Sequence, residues 1–128
     1  MNLDSIFYNF QEKGLSVFLK PDKNSIDRYV LPKEGSIVII PLITRAPTLI
    51  LDDTDVPSLE KILVDIFCDQ ELYFIFSGSE LMNIYRYAYK KYALNFSRLL
   101  SYSDRRKKKT EIREFIVQNL DKSLEKIL

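Results

Sequence analysis

The chain has no histidine and no tryptophan, one cysteine and three glycines among 128 residues. Without histidine it lacks the commonest metal ligand and the commonest general base, so neither a Ser-His-Asp nor a Cys-His arrangement can be assembled. The single thiol, Cys68, excludes an internal disulfide and, with no imidazole beside it, a four-ligand zinc site. That cysteine usage fits a reducing, cytoplasmic setting. Three glycines provide no glycine-rich phosphate loop. The longest nearly apolar run, IVIIPLI from Ile37 to Ile43, is too short to cross a bilayer, and the opening MNLDSIFYNF has no basic n-region of a signal peptide. No membrane partner, no metal, no cofactor and no catalytic residue is expected.

What is present is a chain 46% hydrophobic and 29% charged. That composition suits one globular domain over residues 1–128, burying roughly two thirds of the surface its unfolded form exposes. The net charge of +1 conceals an uneven spread. Residues 1–76 carry 7 basic and 12 acidic side chains, a balance of −5, and residues 77–128 carry 12 and 6, a balance of +6. Such a split points either to an anionic partner for the basic half or to two halves that attract each other.

Along the chain, Leu3, Ile6, Phe7 and Phe10 recur at helical spacing, with Asn2 as cap and Gly14 as stop. LSVFL (15–19) alternates as a strand does, and KNSIDRYVLP reads as a loop or weak extended segment. SIVIIPLI is apolar on both faces and is expected to be a central strand. TLILDDTDVP is a further short strand running into an acidic turn. The clearest helix is PSLEKILVDIF, with Pro57 in its first turn and Leu59, Ile62, Leu63, Ile66 and Phe67 on one face. That stripe reads as core, with a ligand pocket as the lesser alternative. ELYFIF is ambiguous between strand and helix.

Beyond Gly78, Ser77 or Ser79 can cap a helix whose inward face is Leu81, Ile84, Tyr85, Ala88 and Tyr92. Asn95 and Thr110 are expected to cap two more. The fold class is therefore α+β: a small β-sheet in the N-terminal half packed against a mostly helical C-terminal half, in a single domain.

Two constellations deserve testing as enzymes. Asp52, Asp53 and Asp55, with Glu60 and Asp65 beyond, form the sole carboxylate cluster that could hold Mg²⁺, but the signal is weak and a solvated turn followed by acids at a helix N-terminus is the favoured reading. FSGSE contains the Gly-Ser pair that opens a nucleotidyltransferase site. The spaced carboxylates such a site needs do not follow, since a Tyr-containing amphipathic helix comes next.

The remaining feature is the row Arg105, Arg106, Lys107, Lys108 and Lys109, preceded by Arg86, Lys90, Lys91 and Arg98. Five adjacent cations are expected to be exposed between two short helices. With Tyr87 nearby, they suit a phosphate backbone and a stackable base, or equally an acidic protein surface. A merely solvated face is the plain alternative.

Taken together, ITRAPT, SLEKILVDIF, ELMNIYRYAYKKY and LLSYSDRRKK resemble, in order and spacing, the C-terminal region of AbiEi-like antitoxins of bacterial type IV toxin-antitoxin systems. The likeness runs from about Asp4 to about Leu120. It implies a cytoplasmic, non-enzymatic domain of an abortive-infection (phage defence) system that counteracts a nucleotidyltransferase-like toxin by meeting the toxin or its nucleic-acid substrate. Family members also carry an N-terminal winged helix for promoter binding and transcriptional regulation. Here Met1 opens directly in the first helix, so DNA contact is expected only through a separate winged-helix segment. Arg105, Arg106 and Lys107 coincide with the family's basic stretch. Glu60, Lys61 and Asp65 match its helix motif, and Lys61 and Asp65 are spaced to pair along one helix face.

Overall fold

The computed structural model describes residues 2–128, which form an α+β fold of helices and two separate two-stranded sheets. The chain divides into two compact units, one reaching to Leu42 and the other running from Ile43 to Leu128.

In the first unit, the Asn2 side chain accepts the Ser5 N–H at 2.8 Å and starts α1, Leu3–Glu12. Gly14, at φ +77°, ends it in a conformation that strains any other residue. Strands β1 (Val17–Leu19) and β2 (Ile37–Ile39) pair in parallel, with Val17 opposite Ile37. A parallel pair needs a crossover, and residues 20–36 supply it.

This crossover corrects the expectation of a loop. The Asp22 carboxylate accepts the Ser25 N–H at 2.8 Å and starts a short helix α2, Lys23–Ser25, which continues as a π-helical turn, Ile26–Val30. Ile26 and Val30, four residues apart, are both buried. Two apolar residues are too few to register as a period, yet they suffice to pin one turn.

β2 is likewise not a central strand. It has one neighbour, Ile39 alone is buried, and Ile40 and Leu42 are exposed.

The second unit begins with a hairpin that the sequence offered as a single strand and an acidic turn. β3 (Thr48–Leu51) pairs antiparallel with β4 (Thr54–Pro57) across Asp52 and Asp53. Both turn residues have positive φ, +51° and +60°, the requirement of a two-residue turn matched to strand twist, which aspartate tolerates. Pro57 thus closes β4 rather than opening a helix. Ser58 caps α3, Leu59–Cys68, by accepting the Lys61 N–H at 3.2 Å.

α3 buries Leu63, Val64 and Ile66, whereas Ile62 is half-exposed. The helix touches both α4 (Ser79–Lys91) and α5 (Phe96–Arg105), which shifts the buried arc toward Val64. ELYFIF resolves into a 3₁₀ turn, Phe74–Phe76. Neither serine caps α4: Gly78 occupies that position at φ +64°, and the Ser77 hydroxyl donates instead to the Phe74 carbonyl at 2.7 Å. Tyr92, expected inside, lies half-exposed where the chain turns extended past the end of α4.

Asn95 does cap α5, through the Arg98 N–H at 3.0 Å. α6 spans Lys109–Asn119 and starts before Thr110, with Lys108 at its cap making no side-chain bond. A final 3₁₀ turn, Lys122–Lys126, buries Leu124.

The core of this unit is assembled from Leu63, Tyr85, Leu99, Tyr102, Ile112 and Ile116, each under 2% exposed. Full burial of each large aliphatic side chain contributes roughly 1.5–3 kcal/mol. Tyr85 buries its hydroxyl by donating to the Leu63 carbonyl at 2.6 Å; burial raises its pKa and keeps it a donor. Among the described residues no helix is long and apolar enough to cross a membrane.

Candidate interaction surface

The basic row divides. Arg106, expected to be exposed with its neighbours, turns inward: its side chain is only 14% exposed, and its guanidinium forks between Asp65 at 2.6 Å and Asp69 at 2.5 Å. Asp65 lies on the last turn of α3 and Asp69 caps its C-terminus four residues on, so a planar fork can meet both. Asp65 also accepts the Tyr102 hydroxyl at 2.6 Å and the Lys61 ammonium, the pair expected from their spacing.

Burial alone would pull the Arg106 pKa down, but the hydrogen bonds to Asp69 and Tyr102 reverse the shift and hold the guanidinium charged. Burial, helped by the bond to Asp65, raises the Tyr102 pKa and keeps its proton. Burial also pushes the neighbouring Cys68 thiol up to about 11, against the pull of Arg106, so the thiol stays protonated and unreactive near neutral pH.

The backbone explains how one cation goes in while the others stay out. At the end of α5 the Lys108 N–H bonds to the Ser103 carbonyl at 2.9 Å and the Lys107 N–H to the Asp104 carbonyl at 3.0 Å. This is the Schellman arrangement, and Lys107 fills its left-handed position at φ +60°, where glycine is usual. The helix ends there, and α6 begins at Lys109. Arg106, the C-cap of α5, reaches α3, and Lys107, Lys108 and Lys109 are exposed.

Arg105 is also exposed, its Nε–H donating to the Thr44 carbonyl at 3.3 Å. None of these four cations is ion-paired among the described residues.

The other expected cations lie on α4 and α5. Arg86 is exposed and donates to the Asn119 carbonyl at 3.0 Å. Lys90 is exposed, as is Arg98 on the first turn of α5. Lys91 donates to the Tyr87 hydroxyl at 2.8 Å, which raises the lysine pKa, and lies 5.2 Å and 5.7 Å from the Tyr87 and Tyr92 ring centres. Tyr87 is itself exposed, as expected. It lines, with Leu59, Ile62, Ile84 and Tyr92, a groove of about 530 Å³ between α3 and α4. No hydrogen bond or ion pair joins the Lys91–tyrosine cluster to the 105–109 elbow among the described residues.

The carboxylates do not converge on a metal site. Asp52 and Asp53 form the hairpin turn, Asp55 lies on β4, and Asp65 is occupied by its own cations. Among the described residues no group of three or more potential metal ligands is gathered. Sequence reasoning missed the Asp65–Arg106–Asp69 bracket. Its signal was two complementary i,i+4 pairs, Asp65/Asp69 at the end of one helix and Tyr102/Arg106 at the end of another.

Residues 2–122 match a family model described as "Family of unknown function (DUF6577)". Comparison with curated proteins and with solved structures yields no match.

Proposed function

Since the chain belongs to that family of unknown function (DUF6577), we propose its role from its surface: a non-enzymatic, cytoplasmic interaction domain of the antitoxin type, counteracting a nucleotidyltransferase-like toxin. The observation that carries this reading is the elbow of exposed, unpaired Lys107, Lys108 and Lys109 beside Arg105, held in shape by the internal Arg106 bracket. The turn fixes the backbone that presents these cations, so docking orders only their side chains, and their charge provides attraction and orientation. The order of motifs shared with AbiEi-like antitoxins supplies the class of partner: the toxin's acidic surface or its nucleic-acid substrate.

Co-expression with a nucleotidyltransferase-like toxin is the test. The wild-type chain is expected to restore growth, and the Lys107→Ala/Lys108→Ala/Lys109→Ala variant, folded to the same degree, to fail. Absence of rescue by the wild type, or equal rescue by both, removes the proposal.

A second reading, regulatory nucleic-acid binding, is favoured by exposed Tyr87 beside Lys90 and Lys91, a ring on which a base can stack next to phosphate-pairing cations. Titration with an RNA oligonucleotide or a promoter fragment at two salt concentrations checks it. Affinity falling steeply with salt supports it, and no binding at low salt eliminates it.

A further inference from the structure

The groove between α3 and α4 is a second feature of the helical unit, apart from the basic elbow. Leu59 and Ile62 of α3 line it with Ile84, Tyr87 and Ala88 of α4, and Tyr92 stands at one end. Its volume of about 530 Å³ lies within the roughly 300–1,000 Å³ of small-molecule sites, whose walls are likewise mainly hydrophobic and aromatic.

A polar pair stands at the Tyr92 end. Lys91 Nζ donates to the Tyr87 hydroxyl oxygen at 2.8 Å and lies over the Tyr87 and Tyr92 rings, so the two ring faces hold the ammonium beside the groove. That bond uses the phenol as acceptor, and the phenol's own O–H has no acceptor among the described residues. Nor is Lys91 ion-paired among them. Two donors, one charged and one neutral, therefore stand 2.8 Å apart. The two oxygens of a single carboxylate match such a pair.

The other end limits what can lie in the groove. Glu80 and Asn83 line it there, and Glu80 precedes Lys91 by eleven residues on α4, about 16 Å along the helix axis. Glu80 is exposed and not ion-paired among the described residues, so it repels a second anion at that end. No second cation lies over the Tyr87 and Tyr92 rings among the described residues. The charge pattern suits a monoanion with an apolar body.

We propose that this groove binds a small apolar monocarboxylic acid. Its carboxylate accepts from the Tyr87 hydroxyl and the Lys91 ammonium, and its alkyl or aryl body lies along Leu59, Ile62, Ile84 and Ala88. The site does not depend on the role proposed for the elbow.

An amide NMR titration of the full chain with octanoate, kept below its micelle concentration, tests this. Saturable shifts are expected around residues 59–63 and 80–92 and not at residues 105–109. Octanol, which has the same chain without the charge, is expected to bind roughly tenfold more weakly. Octanedioate is expected to be weakened as much, because its second carboxylate enters the apolar groove.

Tyr87→Phe keeps the ring and removes the phenol donor, and Lys91→Gln removes the charge. Both side chains are exposed, so both variants are expected to fold, which circular dichroism checks, and each to weaken octanoate roughly tenfold. Ile62→Glu, at another exposed position, places a carboxylate in the groove and is expected to abolish binding. Lys126→Gln removes an exposed cation that does not line the groove and is expected to change nothing.

No saturable shift, shifts that map outside α3 and α4, equal binding of octanol, or an octanoate affinity indifferent to Tyr87→Phe and Lys91→Gln would each overturn the proposal. Displacement of octanoate by an equimolar amount of uridine monophosphate would assign the Tyr87 ring to a nucleobase and overturn it equally.

Discussion

The two units bury their apolar residues very differently. Among residues 2–42 only Ile26, Val30 and Ile39 are fully inside, whereas residues 43–128 bury a contiguous set running from Leu63 to Leu124. The first unit is held by local devices: caps at Asn2 and Asp22, a π-turn, one short parallel ladder. The second is held by side chains meeting across four helices. Chains of about 40 residues seldom sustain a fold on a core of that size. The difference teaches that the helical unit sets the stability on which any surface function rests, and that the first unit opens at lower cost.

Breaking the larger core should have the largest effect. Ile112→Ala, at a fully buried position, is expected to lower the unfolding free energy by about 4 kcal/mol, measured by urea denaturation. Ile39→Ala, in the smaller unit, is expected to cost about 2 kcal/mol locally. Hydrogen exchange should find the β1 and β2 amides opening faster, with α5 and α6 protection unchanged. Equal loss of protection in both units would erase the contrast.

The smallest change sharpens it in the other direction. Lys107→Gly relieves a left-handed residue and is expected to raise the stability of the helical unit by about 1 kcal/mol in the same urea titration.

Legibility in the sequence follows the same division. Helices with long apolar stripes, α1, α3 and α4, were readable because five or so contacts repeat at one period, and Asn2 and Asn95 announced their caps. The α2 turn was not readable, since its two buried residues form no pattern and its cap, Asp22, looks like any loop acid after Pro21. β4 hid inside TDVP, whose strand conformation is imposed by the Asp52-Asp53 turn rather than by propensity.

The basic row was visible as a feature, but its internal division was not. Nothing in five consecutive cations distinguishes Arg106 until α3 supplies Asp65 and Asp69 at the correct spacing, a contact made across 37 to 41 residues of chain. The family match over residues 2–122 adds membership but no chemistry.

That one arginine anchors the elbow while its neighbours are free to meet a partner is the claim most directly open to measurement. Single alanine variants at residues 105 to 109, unfolded side by side in urea, would decide it. Arg106→Ala leaves two partly buried carboxylates without their guanidinium and should cost about 3 kcal/mol, against no more than about 0.5 kcal/mol for Lys107→Ala, Lys108→Ala or Lys109→Ala. A flat profile, with Arg106→Ala no worse than the lysine variants, would contradict the account.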